Sequence, residues 1–302
     1  MDITVLGSIN LDYVVRVAHH PVPGETVLGS DVQTHAGGKG ANQAVAAARA
    51  GVRVRMIGCV GSDATGATMR ENLEREGIDT TLVKTVSGSS GAAFIAVNPS
   101  GQNSIIVSSG ANAQVTVSDL NPSRLAWSKV LLMQLETPLE IVLKAASLAK
   151  QGGVRVVLNL APAMPLSAVQ LRDVDVLIVN ETEAGMLGGT VPQSAREALV
   201  VARDLRELVK TVIVTLGAGG AVFSGLDAEG HMPSPVVQVV DTTAAGDAFI
   251  GALCAALCDG LPLEAAVKRG VAAGALACTK AGAQPSLPRR SEIEALLQRV
   301  AG

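Results

Sequence analysis

Asp247 closes the run Asp241-Thr242-Thr243-Ala244-Ala245-Gly246-Asp247, directly ahead of an apolar stretch from Ala248 to Cys258. That order puts a carboxylate and three small residues at the start of a helix. Small residues leave backbone N–H groups free to face an anion, and the helix N-terminus adds favourable partial charge. A carboxylate beside such a hole can take a proton from an attacking hydroxyl while the amides hold the transferring group. The plainer alternative, an acidic residue that only complements the helix dipole, stays open at this stage. Asp241 and the two threonines predict the end of a strand before the turn.

Four further segments carry chemical potential. Thr215-Leu216-Gly217-Ala218-Gly219-Gly220 follows the apolar run Val212–Val214, and its glycines permit close approach to a phosphate or a flat ring. It fails the dinucleotide fingerprint, because Val222 stands where the third glycine belongs. Gly37-Gly38-Lys39-Gly40-Ala41-Asn42-Gln43 leads into an Ala-rich helix; Gly40 after Lys39 excludes a Walker A loop. Lys39 and Asn42 offer hydrogen bonds to hydroxyls, with an ordinary helix start as the alternative. Asn10 and Asp12, expected at the end of the first strand, point to one side, where ligands meet such sheets. Asn180-Glu181-Thr182-Glu183 after Val176–Val179 could set a carboxylate near hydrated Mg²⁺, or simply cap a helix with Asn180 and Glu183.

The elements that must position these groups follow from periodicity. Ile3–Leu6, Val52–Ile57, Val130–Gln134, Val154–Asn159, Val176–Val179 and Val212–Thr215 read as short apolar strands. Helical period marks Asn42–Ala50, Leu139–Lys150 and Ser194–Val209 between them. This alternation predicts an α/β fold: a doubly wound, mostly parallel sheet flanked by helices. Tyr13–Val17 with Thr26–Leu28, and Ala92–Val97 with Ser104–Val107, alternate like half-exposed strands and have no helices between them. They predict a small β-sheet lid, inserted at about 12–36 and 91–108 of one domain spanning 1–302; an edge extension of the main sheet is the alternative.

Composition removes other classes. Lys+Arg 24 against Asp+Glu 27 gives a net charge of −3, too near neutral for a binder of nucleic-acid backbones. With aromatics at 2%, the core must be built from Val, Leu, Ile and Ala, which suits helices packed closely on a parallel sheet. No signal peptide or membrane span is expected, and the four cysteines form no CxxC pair. Cys254 and Cys258 are read as small buried side chains in a cytoplasmic protein with reduced thiols.

Together, DTTAAGD, NETE, GGKGANQA and MQLETPLE resemble the ribokinase-like family of carbohydrate and nucleoside kinases, over nearly the whole chain. GGKGANQA and the segment around Glu136 point within that family to its ribose-phosphorylating members. The resemblance implies ATP-dependent phosphorylation of D-ribose at O5, with Asp247 as general base and the amides of Ala244, Ala245 and Gly246 as anion hole. It assigns Asn10, Leu11, Asp12, Gly38, Lys39, Gly40, Asn42 and Glu136 to the sugar. Asn180, Glu183, Thr215, Leu216, Gly217, Ala218, Gly219 and Gly220 would serve ATP and Mg²⁺, together with Gly246 and Asp247. A monovalent cation, usually K⁺, is implied at Asp241, Thr243, Ala277, Lys280, Gly282 and Ser286, several through backbone carbonyls. A homodimer through the lid sheets is implied too. One departure stands out: near Gly270-Val271 the polar residue often found beside adenine is missing, so an apolar adenine pocket is expected. Another sugar or a nucleoside, deoxyribose first, is the alternative substrate; a non-enzymatic sugar sensor is disfavoured by the intact Asp247, and a nicotinamide dehydrogenase by Val222.

Overall fold

In the computed structural model, which describes residues 2–301, Val156 and Leu158 pack into one hydrophobic core and Val157 into another. The same alternation runs through Val176, Leu177, Ile178 and Val179. A strand with period two can feed two cores only if helices cover both faces of its sheet.

The strands in chain order are β1 (Ile3–Leu6), β2 (Asn10–Arg16), β3 (Gln33–Gly37), β4 (Val54–Gly61), β5 (Asp79–Val86), β6 (Gly91–Val97), β7 (Asn103–Ser108), β8 (Val130–Met133), β9 (Arg155–Asn159), β10 (Val176–Asn180), β11 (Thr211–Thr215), β12 (Ala221–Ser224) and β13 (Glu229–Met232). The helices are α1 (Lys39–Arg49), α2 (Ala64–Arg75), α3 (Pro122–Leu125), α4 (Leu139–Gln151), α5 (Ala168–Leu171), α6 (Glu181–Gly188), α7 (Ala195–Leu205), α8 (Ala245–Cys258), α9 (Leu263–Ala277) and α10 (Arg290–Ala301).

Nine strands form the main sheet in the order β13-β12-β11-β10-β9-β8-β1-β4-β5. Its pairings from β11 to β5 are parallel, and β12 and β13 add an antiparallel edge. Helices α1, α8 and α9 pack on one face, α4 and α7 on the other. The contact between α1 and α8 is made through small residues: a Cβ on Gly251 would overlap the Ala46 side chain and lie 2.7 Å from the Ala47 nitrogen.

A separate sheet of order β3-β2-β6-β7 forms the lid. Here β2 runs parallel to β6, while β3 and β7 pair antiparallel at the edges. It hangs from the main sheet at the C-terminal ends of β1 and β5, since Gly7–Ile9 connect β1 to β2 and Ser87–Ser90 connect β5 to β6. The edge-extension alternative is therefore excluded. Tyr13 stacks on Phe94 at 5.4 Å, and Phe94 and Ile106, cross-strand partners, remain 50% and 69% exposed.

Three expectations need correction. Thr26–Leu28 is not a strand; the partner of β2 is Gln33–Gly37, and only a lone bridge between Val17 and Gly29 forms in between. Pro23 and the left-handed Gly24 (φ 87°) interrupt pairing there, and no face of Thr26–Leu28 is buried. No strand ends at Asp241: after β13 the strap of residues 233–239 has no regular structure, and its Pro233 and Pro235 lack the N–H a ladder needs. Asn10 and Asp12 open β2 rather than closing β1. Among the described residues, no helix is long and apolar enough to cross a membrane, and the thiols of Cys254 and Cys258 are buried, which pushes both above the usual range.

Candidate active site

The turn before α8 depends on Ala244, the one non-glycine residue with positive φ among the described residues (φ 58°). A side chain in this left-handed region costs about 1–2 kcal/mol, so the surrounding bonds must hold it. The Ala245 N–H donates to the Thr242 carbonyl at 3.2 Å and the Ala248 N–H to the Ala244 carbonyl at 2.8 Å. Gly246, exposed in the first turn of the helix, has no intrahelical acceptor for its amide. Of the three amides expected to form an anion hole, Ala245's is thus engaged within its own turn by a long bond, and an incoming phosphoryl oxygen would compete with the Thr242 carbonyl for it.

Asp247 stands at the third helical position and keeps only partial contact with solvent. Its Oδ2 accepts from Asn42 Nδ2 at 3.0 Å and its Oδ1 from Gln43 Nε2 at 2.9 Å. Burial pushes its pKa up, and the Lys39 ammonium and the two amides pull against that rise. The result is a carboxylate more basic than usual, as proton abstraction requires.

The start of α1 and the start of β2 meet beside it. Gly38 adopts φ 88°, and a Cβ there would come within 2.8 Å of the Asn10 nitrogen, so only glycine lets α1 begin this close to β2. Asn10 is buried and its Oδ1 accepts from Asn112 Nδ2 at 2.7 Å. Asn112 Oδ1 in turn receives the Ile9 N–H at 2.9 Å. Glu136 Oε2 accepts from Ser8 Oγ at 2.5 Å and from the Lys39 N–H at 3.2 Å. The Gly40 N–H donates to Ser8 Oγ at 3.3 Å, and Leu11 packs against the core, so these two shape the pocket more than they offer polar groups to it.

Charge concentrates here. Burial pushes Asp12 up to about 7, and the nearby Glu136 and Asp247 carboxylates add to the rise against the opposing pull of Lys39. Burial alone would lower Lys39, but Asp247, Glu136, Glu183 and Asp12 together hold its ammonium above the ordinary value. One cation therefore lies in the field of four acids.

The glycine loop after β11 and the turn before α8, distant in sequence, line a single cavity of about 470 Å³. Thr215, Gly217, Ala218 and Gly220 form one wall, and Thr242, Ala245 and Gly246 another. The strap residues Pro235–Val237, with Phe249 and Val271, make it apolar. Gly217–Gly219 turn into the antiparallel β12 rather than into a helix, the physical reason the dinucleotide fingerprint fails. Asn180 caps α6: its Oδ1 receives the Glu183 N–H at 2.8 Å, while Glu183 Oε2 receives the Asn180 N–H at 2.8 Å. Glu183 is buried, which raises its pKa, and it faces the field of Lys39. Both the capping role and proximity to the charged cluster hold. The larger cavity of about 730 Å³ lies at the opposite ends of the strands, beside Lys129, Lys150, Arg155 and Lys210, and contains none of the residues singled out.

The Asp241 carboxylate knits two loops. Its Oδ1 accepts from Thr243 N (2.9 Å) and Oγ1 (2.7 Å), and its Oδ2 from the Gly282 N–H at 2.8 Å. Although burial acts to raise its pKa, these bonds and the Arg16 charge hold it below the usual value, so it stays anionic. The Ala277 carbonyl receives the Lys280 N–H at 3.3 Å, the Lys280 ammonium pairs with Glu292 at 2.8 Å, and Ser286 Oγ donates to the Ala283 carbonyl. An anionic anchor beside carbonyl-rich loops suits a monovalent cation. Among the described residues no cluster of three or more His, Cys, Asp or Glu side chains forms a metal cage.

The family model for pfkB carbohydrate kinases matches residues 1–290. The chain belongs to that family. Among pfkB relatives it is 46% identical to a ribokinase of Haemophilus influenzae over 302 residues, covering 98% of each chain. It is 38% identical to a deoxyribokinase of Salmonella typhi, covering 95% of this chain and 96% of the other. The structure of Arabidopsis thaliana ribokinase complexed with ribose and ATP matches with a TM-score of 0.90 at 32% identity, covering 98% of both chains. Several residues that build this pfkB site are assigned no role from the sequence: Ser8, Gln43, Asn112, Gln134, Asn159 and the 233–239 strap. Gln43 lies inside GGKGANQA and Gln134 inside MQLETPLE, and membership of those motifs is the signal that points to both.

Proposed function

We propose that the protein transfers the γ-phosphoryl group of ATP to the 5-hydroxyl of D-ribose, giving ribose 5-phosphate and ADP. The observation that carries this reading is the position of Asp247: one residue beyond the Gly246 that lines the 470 Å³ cavity, and hydrogen-bonded to Asn42 on the opposite, polar side. A base at the junction of a nucleotide cavity and a hydroxyl-binding cluster fits in-line transfer from one to the other.

In this mechanism Asn10, Asp12, Asn42 and Glu136 hold the sugar hydroxyls, and Asp247 takes the proton of the 5-hydroxyl as its oxygen attacks phosphorus. The Gly246 amide, joined by those of Ala244 and Ala245, holds the transferring oxygens in a place arranged in advance. Lys39 offsets the negative charge that gathers between sugar and phosphate. The lid keeps water from the γ-phosphoryl group, limiting wasteful hydrolysis. When bound, Mg²⁺ would neutralise phosphate charge from the Glu183 and Asn180 side, and K⁺ would order the anion-hole turn from Asp241 and the 277–286 loop. The half-exposed Phe94 and Ile106 support association through the lids as a homodimer.

The deoxyribokinase relative favours one second reading, 2-deoxyribose as substrate. Asp12 separates the two, because a buried carboxylate left without its hydroxyl partner disfavours the deoxy sugar. A coupled ADP-release assay across pentoses, hexoses and nucleosides tests both readings. The highest kcat/KM is expected for ribose; a higher value for 2-deoxyribose would hand the assignment to the second reading, and no turnover with any sugar would end both.

A further inference from the structure

Three buried amides lead to Asp247. Gln43 and Gln134 have no exposed surface and Asn159 is 7% exposed. Asn159 Nδ2 donates to the Ile178 carbonyl at 3.3 Å, which turns its Oδ1 toward Gln43. Gln43 Nε2 donates to that Oδ1 at 3.1 Å and to Asp247 Oδ1 at 2.9 Å. Gln134 Nε2 donates to Gln43 Oε1 at 2.7 Å. Asn159 and the carboxylate therefore dictate one orientation of the Gln43 amide, and Gln134, whose own Oε1 is buried without a hydrogen-bond partner among the described residues, follows it. Reversed, it would present an oxygen to the carboxylate and lose two hydrogen bonds in a place water cannot repair.

We infer that Gln43, held by Gln134 and Asn159, is a positioning residue that fixes Asp247 Oδ1 and leaves Oδ2 to take the proton from substrate. The inference rests on the kinase reading above. Asn42, which donates to Oδ2, has a buried Oδ1 without a hydrogen-bond partner among the described residues. A sugar hydroxyl can complete Asn42 and draw it toward the substrate, freeing a lone pair on Oδ2. Oδ1 has no such release, because its donor is also held by Asn159 Oδ1, which the Ile178 carbonyl fixes from behind. No member of the amide chain titrates, so its contribution is orientation and stabilisation of the charged carboxylate.

A network that merely fastened α1 to the sheet would show the same bonds, so the test must read more than stability. The kcat at saturating ribose and ATP is measured across pH for the intact protein, Gln43→Leu, Gln134→Met, the double variant and Asp247→Asn, with thermal midpoints. Saturation keeps the ribose-binding titration of Asp12 out of kcat. Gln43→Leu should lower kcat about 10–100-fold near neutral pH, the scale seen for outer partners of reactive groups, with both KM values little changed. Its acid limb should move to higher pH, because a donor to the ionised form is gone while Lys39, Glu136 and Asp12 still face Asp247. Gln134→Met should shift kcat the same way by less, and the double variant should be no worse than Gln43→Leu, since Gln134 acts through Gln43. A loss that is uniform across pH and tracks the thermal midpoint, or an additive double variant, overturns the inference. If Gln43→Leu does not fold, the acid limb of Gln134→Met decides: unmoved, it overturns the inference equally. An inactive wild type, or a fully active Asp247→Asn, would instead sink the kinase reading itself.

Discussion

Gly251 of α8 meets Ala46 of α1 one helical turn beyond the place where Asp247 meets Gln43. The absence of a side chain at Gly251 therefore sets how far the base stands from its amide partners. Gly251→Ala should cost about 1–3 kcal/mol by overpacking, read as a lower thermal midpoint. It should also reduce kcat more than it raises either KM, because α1 is pushed away from α8 while both substrate pockets keep their residues.

Asp247→Asn keeps the shape and hydrogen-bonding size of the side chain and removes its ability to accept a proton. The variant should fold, bind both substrates and lose kcat by on the order of 10²-fold or more. Steady-state kinetics beside calorimetric binding of ribose checks this, and a loss of only a few-fold contradicts the general-base role.

Asp12, pushed up to about 7 by burial and then by Glu136 and Asp247, is ionised above that pH and protonated below it. The ionised form accepts from sugar hydroxyls, so kcat/KM for ribose should fall as pH drops through about 7. Asp12→Asn should lack that inflection. Asp12→Ala should raise the ribose KM by roughly 10–100-fold, the cost of a lost hydrogen bond to a charged group, and leave the ATP KM near its original value.

Monovalent ions offer a fourth test. Asp241 remains anionic and joins the anion-hole turn to the 277–286 loop, so an ion held there acts by ordering amides. Activity should fall in K⁺-free Tris buffer and recover with K⁺, with Na⁺ a poorer substitute at matched ionic strength. Equal rates in all three buffers would remove the cation from the mechanism. The Lys280 ammonium, paired with Glu292, would be a poor replacement for it.

Much of this architecture is legible in sequence because strongly periodic elements announce themselves. The apolar runs at Ile3–Leu6 and Val176–Val179 became strands within a residue of their expected bounds, since a parallel sheet buried on both faces leaves no polar ambiguity. Thr26–Leu28 misled because alternation over three residues is too short to outweigh Pro23 and Gly24. The strap at 233–239 was invisible because its valines read as strand formers, while its place in the wall of the 470 Å³ cavity goes with two prolines that prevent pairing.

The site divides along similar lines. Residues whose chemistry is a charge or a glycine turn, such as Asp247, Lys39 and Gly217, could be picked out. Asn159 could not, because it sits at the end of an apolar strand outside every motif, and Gln134, though inside MQLETPLE, gives no sign of its partner until the fold brings it to Gln43. Asn112 is hidden for the same reason: only the fold brings it to Asn10.

The bonds from Asn42 and Gln43 to Asp247 span 205 and 204 residues of chain. During translation the residues proposed to hold the sugar leave the ribosome well before the helix that bears the proposed base. The Ala244–Gly246 turn and the Asp241 carboxylate emerge beside that helix, and Val271 of the cavity and the Gly282 N–H that binds Asp241 come later still. On the proposed mechanism, turnover is therefore a report that synthesis has passed Gly282, and not merely that the first half of the chain is made.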